Sequence, residues 1–189
     1  SGLGALTWID GRFWLYNHPL LSDISDLSAL TGISGELLLQ GLPQLRSLDG
    51  LQKLAQVDSL TVQNNAVLSS LQDIGPLTYL PGNLQISGNS ALANLEGLEK
   101  VATISGNAQL QDLPSLEGLE GLQTISGDLN LSSIADSTAL SHLNTISGDL
   151  LIHNPVDLRG FSSVTNIGGS LTANGIGDFS SFQDLIWIG

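Results

Sequence analysis

The sequence predicts an all-β-rich repeat solenoid of about eight turns, in which one strand per turn joins a single parallel sheet and short 3₁₀ or extended segments return the chain. Three observations predict it. A short motif recurs: Ile125-Ser126-Gly127-Asp128-Leu129-Asn130-Leu131 and Ile146-Ser147-Gly148-Asp149-Leu150-Leu151-Ile152 lie 21 residues apart, with looser copies starting at Ile9, Ile33 and Ile167. Between the copies, leucines recur at every third position. The chain also carries 22 glycines and no cysteine in 189 residues, so a repeating core rather than disulfides must hold it together.

The strand half of each repeat reads IxGxLxI. Its alternation is that of a strand with one face turned inward. Laid out by central apolar residue, the turns fall at Phe13, Leu37, Leu60, Leu84, Ala102, Leu129, Leu150 and Leu171, about 22.6 residues per repeat. The fifth is irregular in this frame, 18 residues after the fourth and 27 before the sixth.

The return half reads LxxLxxLxxL. A period of three does not match the i, i+3, i+4, i+7 pattern of an amphipathic α-helix, so little α-helix is expected. The glycine of IxG is expected at a corner of positive φ or of close backbone approach. Asn17, Asn64 or Asn65, Asn89, Asn107 and Asn154 follow the strands and are expected to turn inward onto loop amides that no ladder reaches. No single repeat can bury its own leucines, so all of them stack into one domain over 1–189.

Charge narrows the functions. Five Lys+Arg against 18 Asp+Glu give a net charge of −13, which argues against binding nucleic acid or an anionic membrane surface. No apolar run is long enough to span a bilayer, so no direct membrane insertion is expected. The absence of cysteine removes thiolate metal sites and cysteine nucleophiles.

The extended frame, as in Leu119-Glu120-Gly121-Leu122-Gln123-Thr124-Ile125-Ser126-Gly127-Asp128-Leu129, resembles the receptor L-domain type of leucine-rich repeat. The resemblance covers essentially the whole chain and implies a right-handed β-solenoid. In animal members that domain is part of growth-factor or insulin receptor ectodomains and is flanked by cysteines. This chain lacks them, so receptor signalling is not carried over. Cysteine-free arrays of bacterial surface proteins are the nearer likeness, which implies an extracellular or cell-surface location.

Both ends read as repeats in progress. Leu3, Leu6 and Ile9 continue a preceding return segment, while Phe182, Leu185 and Ile188 run toward another IxG, so the chain is expected to be part of a longer protein.

Alternation places Arg12, Trp14 and Tyr16 on the outer face of the first strand, beside Glu36, Leu38 and Gln40 of the second. Exposed aromatic rings next to a cation and an acid can stack a sugar or anchor a protein, so these six form the first candidate ligand patch. Asp149, Leu151 and His153 form a second. Of nine aromatic residues, four fall within 8–16 and four from 161 onward, a distribution that also fits rings plugging the ends of the core. Most of the remaining outer face is polar, with Thr61, Gln63, Gln85, Ser87, Thr103, Ser105, Asn130, Ser132, Thr172 and Asn174.

Asp128 and Asp149 share a frame position in adjacent turns, about 5 Å apart at the sheet spacing, and are the candidate metal pair, with Ca²⁺ as the cation. Neither an EF-hand loop nor a glycine-rich calcium repeat accompanies them, and solvated carboxylates are the competing reading. His18, His142 and His153 fall in different turns with no metalloprotease, hydrolase or phosphate-loop spacing, so no enzyme and no resident cofactor are expected. The expected function is recognition of a cell-surface protein or glycan through the strand face. A ligand-free spacer in an adhesin or wall protein, and a calcium-dependent module, are the alternatives.

Overall fold

The computed structural model describes residues 2–189 and is a parallel β-solenoid of about eight turns without α-helix among those residues. Its strands are β1 (Trp8–Ile9), β2 (Phe13–Tyr16), β3 (Gly32–Gln40), β4 (Gln56–Gln63), β5 (Tyr79–Leu80), β6 (Leu84–Ser87), β7 (Thr103–Ile104) and β8 (Ala108–Leu113). They continue as β9 (Thr124–Ile125), β10 (Leu129–Ile134), β11 (Thr145–Ile146), β12 (Leu150–Val156), β13 (Asn166–Ile167), β14 (Leu171–Ala173) and β15 (Trp187–Ile188). Short 3₁₀ segments at Ser25–Leu27, Thr138–His142 and Arg159–Phe161 complete the regular structure.

The strands form two parallel sheets rather than the single one expected. A nine-stranded sheet runs β1-β3-β4-β6-β8-β10-β12-β14, with β2 also on β3, and a six-stranded sheet runs β15-β13-β11-β9-β7-β5. The second consists of two-residue strands built from the Ile of IxG and the residue before it, as in Thr124 and Ile125 beside Thr145 and Ile146. In β3 and β4 the two parts remain one long strand. From β5 onward the glycine corner divides them.

One column of inward residues runs through the long sheet: Phe13, Leu37, Leu60, Leu84, Ala108, Leu129, Leu150 and Leu171. Its fifth member is Ala108, not Ala102. The irregular fifth turn therefore disappears, since Ile104-Ser105-Gly106-Asn107 leads into β8 in the common frame and the central residue is simply alanine. Turns are 23 or 24 residues long up to Ala108 and 21 residues long after it.

The difference is one LxxL unit. A long turn buries Leu42, Leu45, Leu48, Leu51, Leu54 and Val57, while a short one buries Leu113, Leu116, Leu119, Leu122 and Ile125. The period of three follows from the backbone: Leu51 N–H bonds Leu48 O at 3.0 Å and Leu54 N–H bonds Leu51 O at 2.9 Å, a chain of tight turns in which each third side chain points inward. These leucines form one continuous hydrophobic cluster from Ile24 to Ile167.

Close approach explains the corner glycines. A Cβ on Gly127 would lie 2.6 Å from Gly106 O, and one on Gly148 would lie 2.7 Å from Gly127 O. Gly11, the first of them, meets nothing within 4 Å and instead has a φ of +128°; positive φ also recurs at Gly50, Gly97 and Gly118 in the return segments and at the strand ends, where Asn17, Gly41, Asn64, Gly88, Asp112, Ser133, Asn154 and Gly175 occupy one such position per turn.

The expected inward asparagines consequently divide into three kinds. Asn65 and Asn89 are buried as expected: Asn65 Oδ1 accepts the Leu42 N–H, Asn89 Oδ1 accepts the Asn65 N–H, and both amides donate to strand carbonyls at 2.9 Å. Asn17, Asn64 and Asn154 take the left-handed position and are exposed. Asn107 precedes its strand rather than following it.

The aromatic residues also divide. Phe161 is fully buried with the Phe182 ring 5.3 Å from it, and Phe179, 6.3 Å from Phe182, is 49% exposed. Trp8, Trp14, Tyr16, Tyr79 and Trp187 stand outside the core.

Candidate functional site

The register brings the first candidate patch together. Trp14 pairs with Leu38 and Tyr16 with Gln40 across β2 and β3, and the next neighbours on β4 are Thr61 and Gln63. Arg12 lies over Trp14, its guanidinium carbon 5.2 Å from the ring centroid, a cation–π distance. The Trp14 indole N–H donates to Glu36 Oε2 at 2.9 Å, and Thr61 Oγ1 donates to Glu36 Oε1 at 2.7 Å. Glu36 thus ties three strands through both carboxylate oxygens. Trp14 is held in one orientation yet stays 43% exposed, and Tyr16 beside it is 53% exposed.

Thr61 was legible only as a polar outer-face residue. In the structure it is nearly covered, and it completes the chain Arg12, Trp14, Glu36, Thr61. At the same end of the solenoid Leu15, His18, Pro19, Leu20 and Leu21 line an open, mainly apolar concavity.

The second candidate patch is less organised. Leu151 pairs with Asn130 and Thr172, and His153 with Ser132, so both stand in the outward rows, half-buried. Asp149 precedes β12 and is occupied elsewhere. Thr103 and Ser105, expected on this face, belong to or adjoin the second sheet, and Gln109 and Gln111 take their places.

Asp128 and Asp149 belong to a side-chain ladder. Ser59 Oγ accepts the Asn83 N–H, Asn83 Oδ1 the Asn107 N–H, Asn107 Oδ1 the Asp128 N–H, Asp128 Oδ1 the Asp149 N–H and Asp149 Oδ1 the Ser170 N–H, all at 2.8 to 2.9 Å. One oxygen of each carboxylate is committed to backbone. Two neutral asparagines do the same work in the same column. Among the described residues no three His, Asp or Glu side chains gather as a metal site.

A second column lies in the return segments. Asp23, Ser47, Ser70, Asn94, Ser115, Asp136, Asp157 and Asp178 each accept the backbone N–H two residues on, one such turn per repeat. The Ser25 N–H holds the Asp23 carboxyl below the usual aspartate range, the Thr138 N–H does the same for Asp136, and the Ser180 hydroxyl does so for Asp178. Arg159 donates through Nε to both oxygens of Asp157, which raises its pKa. Sequence reading missed this column because Ser, Asn and Asp share it in no fixed order.

The histidines remain apart. His18 lines the N-terminal concavity, His142 Nδ1 lies 3.0 Å from Glu120 O, and His153 is on β12. No helix of the described residues is long and apolar enough to cross a membrane. Comparison with protein-family models, curated proteins and solved structures finds no match to this chain.

Proposed function

We propose that the chain is a non-enzymatic recognition module, displayed outside the cell or on its surface, that binds a protein or glycan through the N-terminal part of its long-sheet face. The carrying observation is the chain Arg12, Trp14, Glu36, Thr61, which immobilises an exposed indole beside exposed Tyr16. Pre-ordering an aromatic anchor removes part of the entropy that binding would otherwise cost. The resemblance to receptor L domains and to cysteine-free bacterial surface arrays supports the same reading, and so does the dispersal of the three histidines.

An array of glycans and cell-surface proteins probed with the folded chain tests it. Binding should be lost on changing Trp14 and Tyr16 together to Ala, with the β-type circular dichroism unchanged. An array on which no ligand is lost with the double change overturns the reading, and silence on the whole array favours a structural spacer. The spacer reading draws on the long-sheet face beyond β4, which is mostly amide and hydroxyl groups such as Gln85, Gln109, Asn130 and Thr172.

A further inference from the structure

The second face of the solenoid carries its own line of rings. Trp8, Tyr79 and Trp187 each precede the inward residue of a corner motif, Ile9, Leu80 and Ile188; Trp8 heads the row Trp8, Gly32, Gln56 of the long sheet, Tyr79 and Trp187 end the row of the six-stranded sheet, and the repeat frame sets Tyr79 one turn after Gln56, so that the two rows make one outward column. Trp8 stands at the first level of that column and Tyr79 at the fourth, and Trp187 closes it on the ninth. At a strand spacing of about 4.8 Å, Tyr79 lies about 14 Å from Trp8 and about 24 Å from Trp187 along the solenoid axis.

None of the three is a core residue. They are 43%, 47% and 52% exposed. Trp8 lies flat across Gly32, where a Cβ would come within 1.9 Å of Trp8 Cζ3, so glycine there is what lets the ring lie down on the sheet. The Tyr79 hydroxyl is 2.7 Å from Ser105 Oγ, which fixes that ring from the neighbouring turn.

Between the rings the column is uncharged: Gly32 and Gln56 follow Trp8, and Thr103, Thr124, Thr145 and Asn166 run from Tyr79 to Trp187. No lysine or arginine stands in it. Such a face offers nothing to an anionic polymer, and on a chain of net charge −13 it would repel one. It offers apolar ring faces in line, with hydroxyl and amide donors and acceptors between them.

We infer that this face binds an extended, neutral polysaccharide laid along the solenoid axis, with sugar rings stacked on Trp8, Tyr79 and Trp187 and sugar hydroxyls bonded to Gln56 and to the threonine row between Tyr79 and Trp187. Pyranose rings present C–H faces to aromatic side chains and hydroxyls at their edges, which matches this alternation. The spacing of the rings requires a chain of several sugars, so a monosaccharide reaches one ring at most. The site is separate from the Trp14 patch: its rings stand before the glycine corner of their turns and Trp14 stands after it, although Trp8 and Trp14 both lie on strands that pair with β3.

The test is affinity electrophoresis of the whole chain through gels containing soluble β-glucan, xylan or glucomannan, with sedimentation on insoluble cellulose and chitin. At least one polymer should retard or retain it. Changing Trp8, Tyr79 or Trp187 singly to Ala should weaken binding roughly two- to tenfold each. Tyr79→Phe should bind like the parent, since it keeps the ring, and circular dichroism checks that each variant is folded. Trp14→Ala should bind normally, which separates this site from the one proposed above. Retention on no polymer, retention untouched by the triple alanine change, loss on Trp14→Ala alone, or equal competition by a monosaccharide would each overturn the proposal.

Discussion

The backbone N–H of Asp149 donates to Asp128 Oδ1 at 2.8 Å, so the two aspartates meet as a carboxylate and an amide rather than as two carboxylates. Sequence spacing alone brings them together as a like-charged pair. The ladder that contains them makes the charge incidental, because Asn107 and Asn83 accept the same bond one and two turns earlier.

Asp128→Asn should therefore leave stability within about 0.5 kcal/mol of the parent. Asp128→Ala, which leaves the Asp149 N–H without its acceptor, should cost about 1 kcal/mol. Thermal melts with EDTA and with added calcium should superimpose on the untreated melt; a melting temperature raised by calcium and abolished in Asp128→Asn would restore the cation reading.

Asn89 is the more sensitive amide. Its Oδ1 accepts the Asn65 N–H and its Nδ2 donates to Val62 O, all in the buried interior. Asn89→Leu fits the column by size, since Leu113 occupies the equivalent place one turn on, but it leaves a buried donor and a buried acceptor unpaired. A loss of about 2–4 kcal/mol is expected in urea unfolding, taking each orphaned group at the low end of its usual range. An unchanged midpoint would show that the ladder contributes nothing.

Gly127→Ala should destabilise by about 1–3 kcal/mol, since its Cβ would press on Gly106 O at 2.6 Å and a backbone carbonyl cannot swing aside. Gly177→Ala is the internal control, because nothing lies within 4 Å of the added methyl. Equal melting temperatures for the two variants would remove close approach as the reason for the corner glycines.

Acid should unfold the chain through its return segments. The carboxyls of Asp23, Asp136 and Asp178 are held below their ordinary pKa by accepted hydrogen bonds. A depressed folded pKa means that the stabilisation is present at neutral pH and is lost as pH falls from the ordinary aspartate range near 4 through the lower folded values. Melting temperature should be flat from these groups between pH 7 and 5 and fall below about 4. Changing all three to Asn, which keeps the turn-forming acceptor, should flatten that fall; an unaltered acid limb would assign it to other groups.

How far the chain could be read without coordinates depends on which signal each part uses. The period-three rows such as Leu42 to Val57 were legible, because every third position is aliphatic and nothing else in the chain imitates that pattern. Ala108 was not, since a small residue at the centre of a strand lowers the hydrophobic contrast by which the other turns are found. The second sheet was hidden because two residues per turn are too few to show alternation. Asn64 and Asn65 could not be told apart by type, although one takes the left-handed position and the other is buried. At the candidate patch the frame set Trp14 beside Glu36, but the indole-to-carboxylate bond depends on rotamers, which no spacing records.

The change from 24-residue to 21-residue turns sets a rule for how this chain can gain or lose length. Three residues are one tight turn and one inward leucine, so removing them shortens the perimeter by a whole step and returns the backbone to both sheets in phase. The single residue missing between Val57 and Leu60 has no such step to remove, and it is absorbed as a register shift opposite Ile33 and Glu36. Insertions in multiples of three within the return segments should thus be nearly silent. Insertions of one or two must be stored as a bulge, and the corner is the place built to hold it.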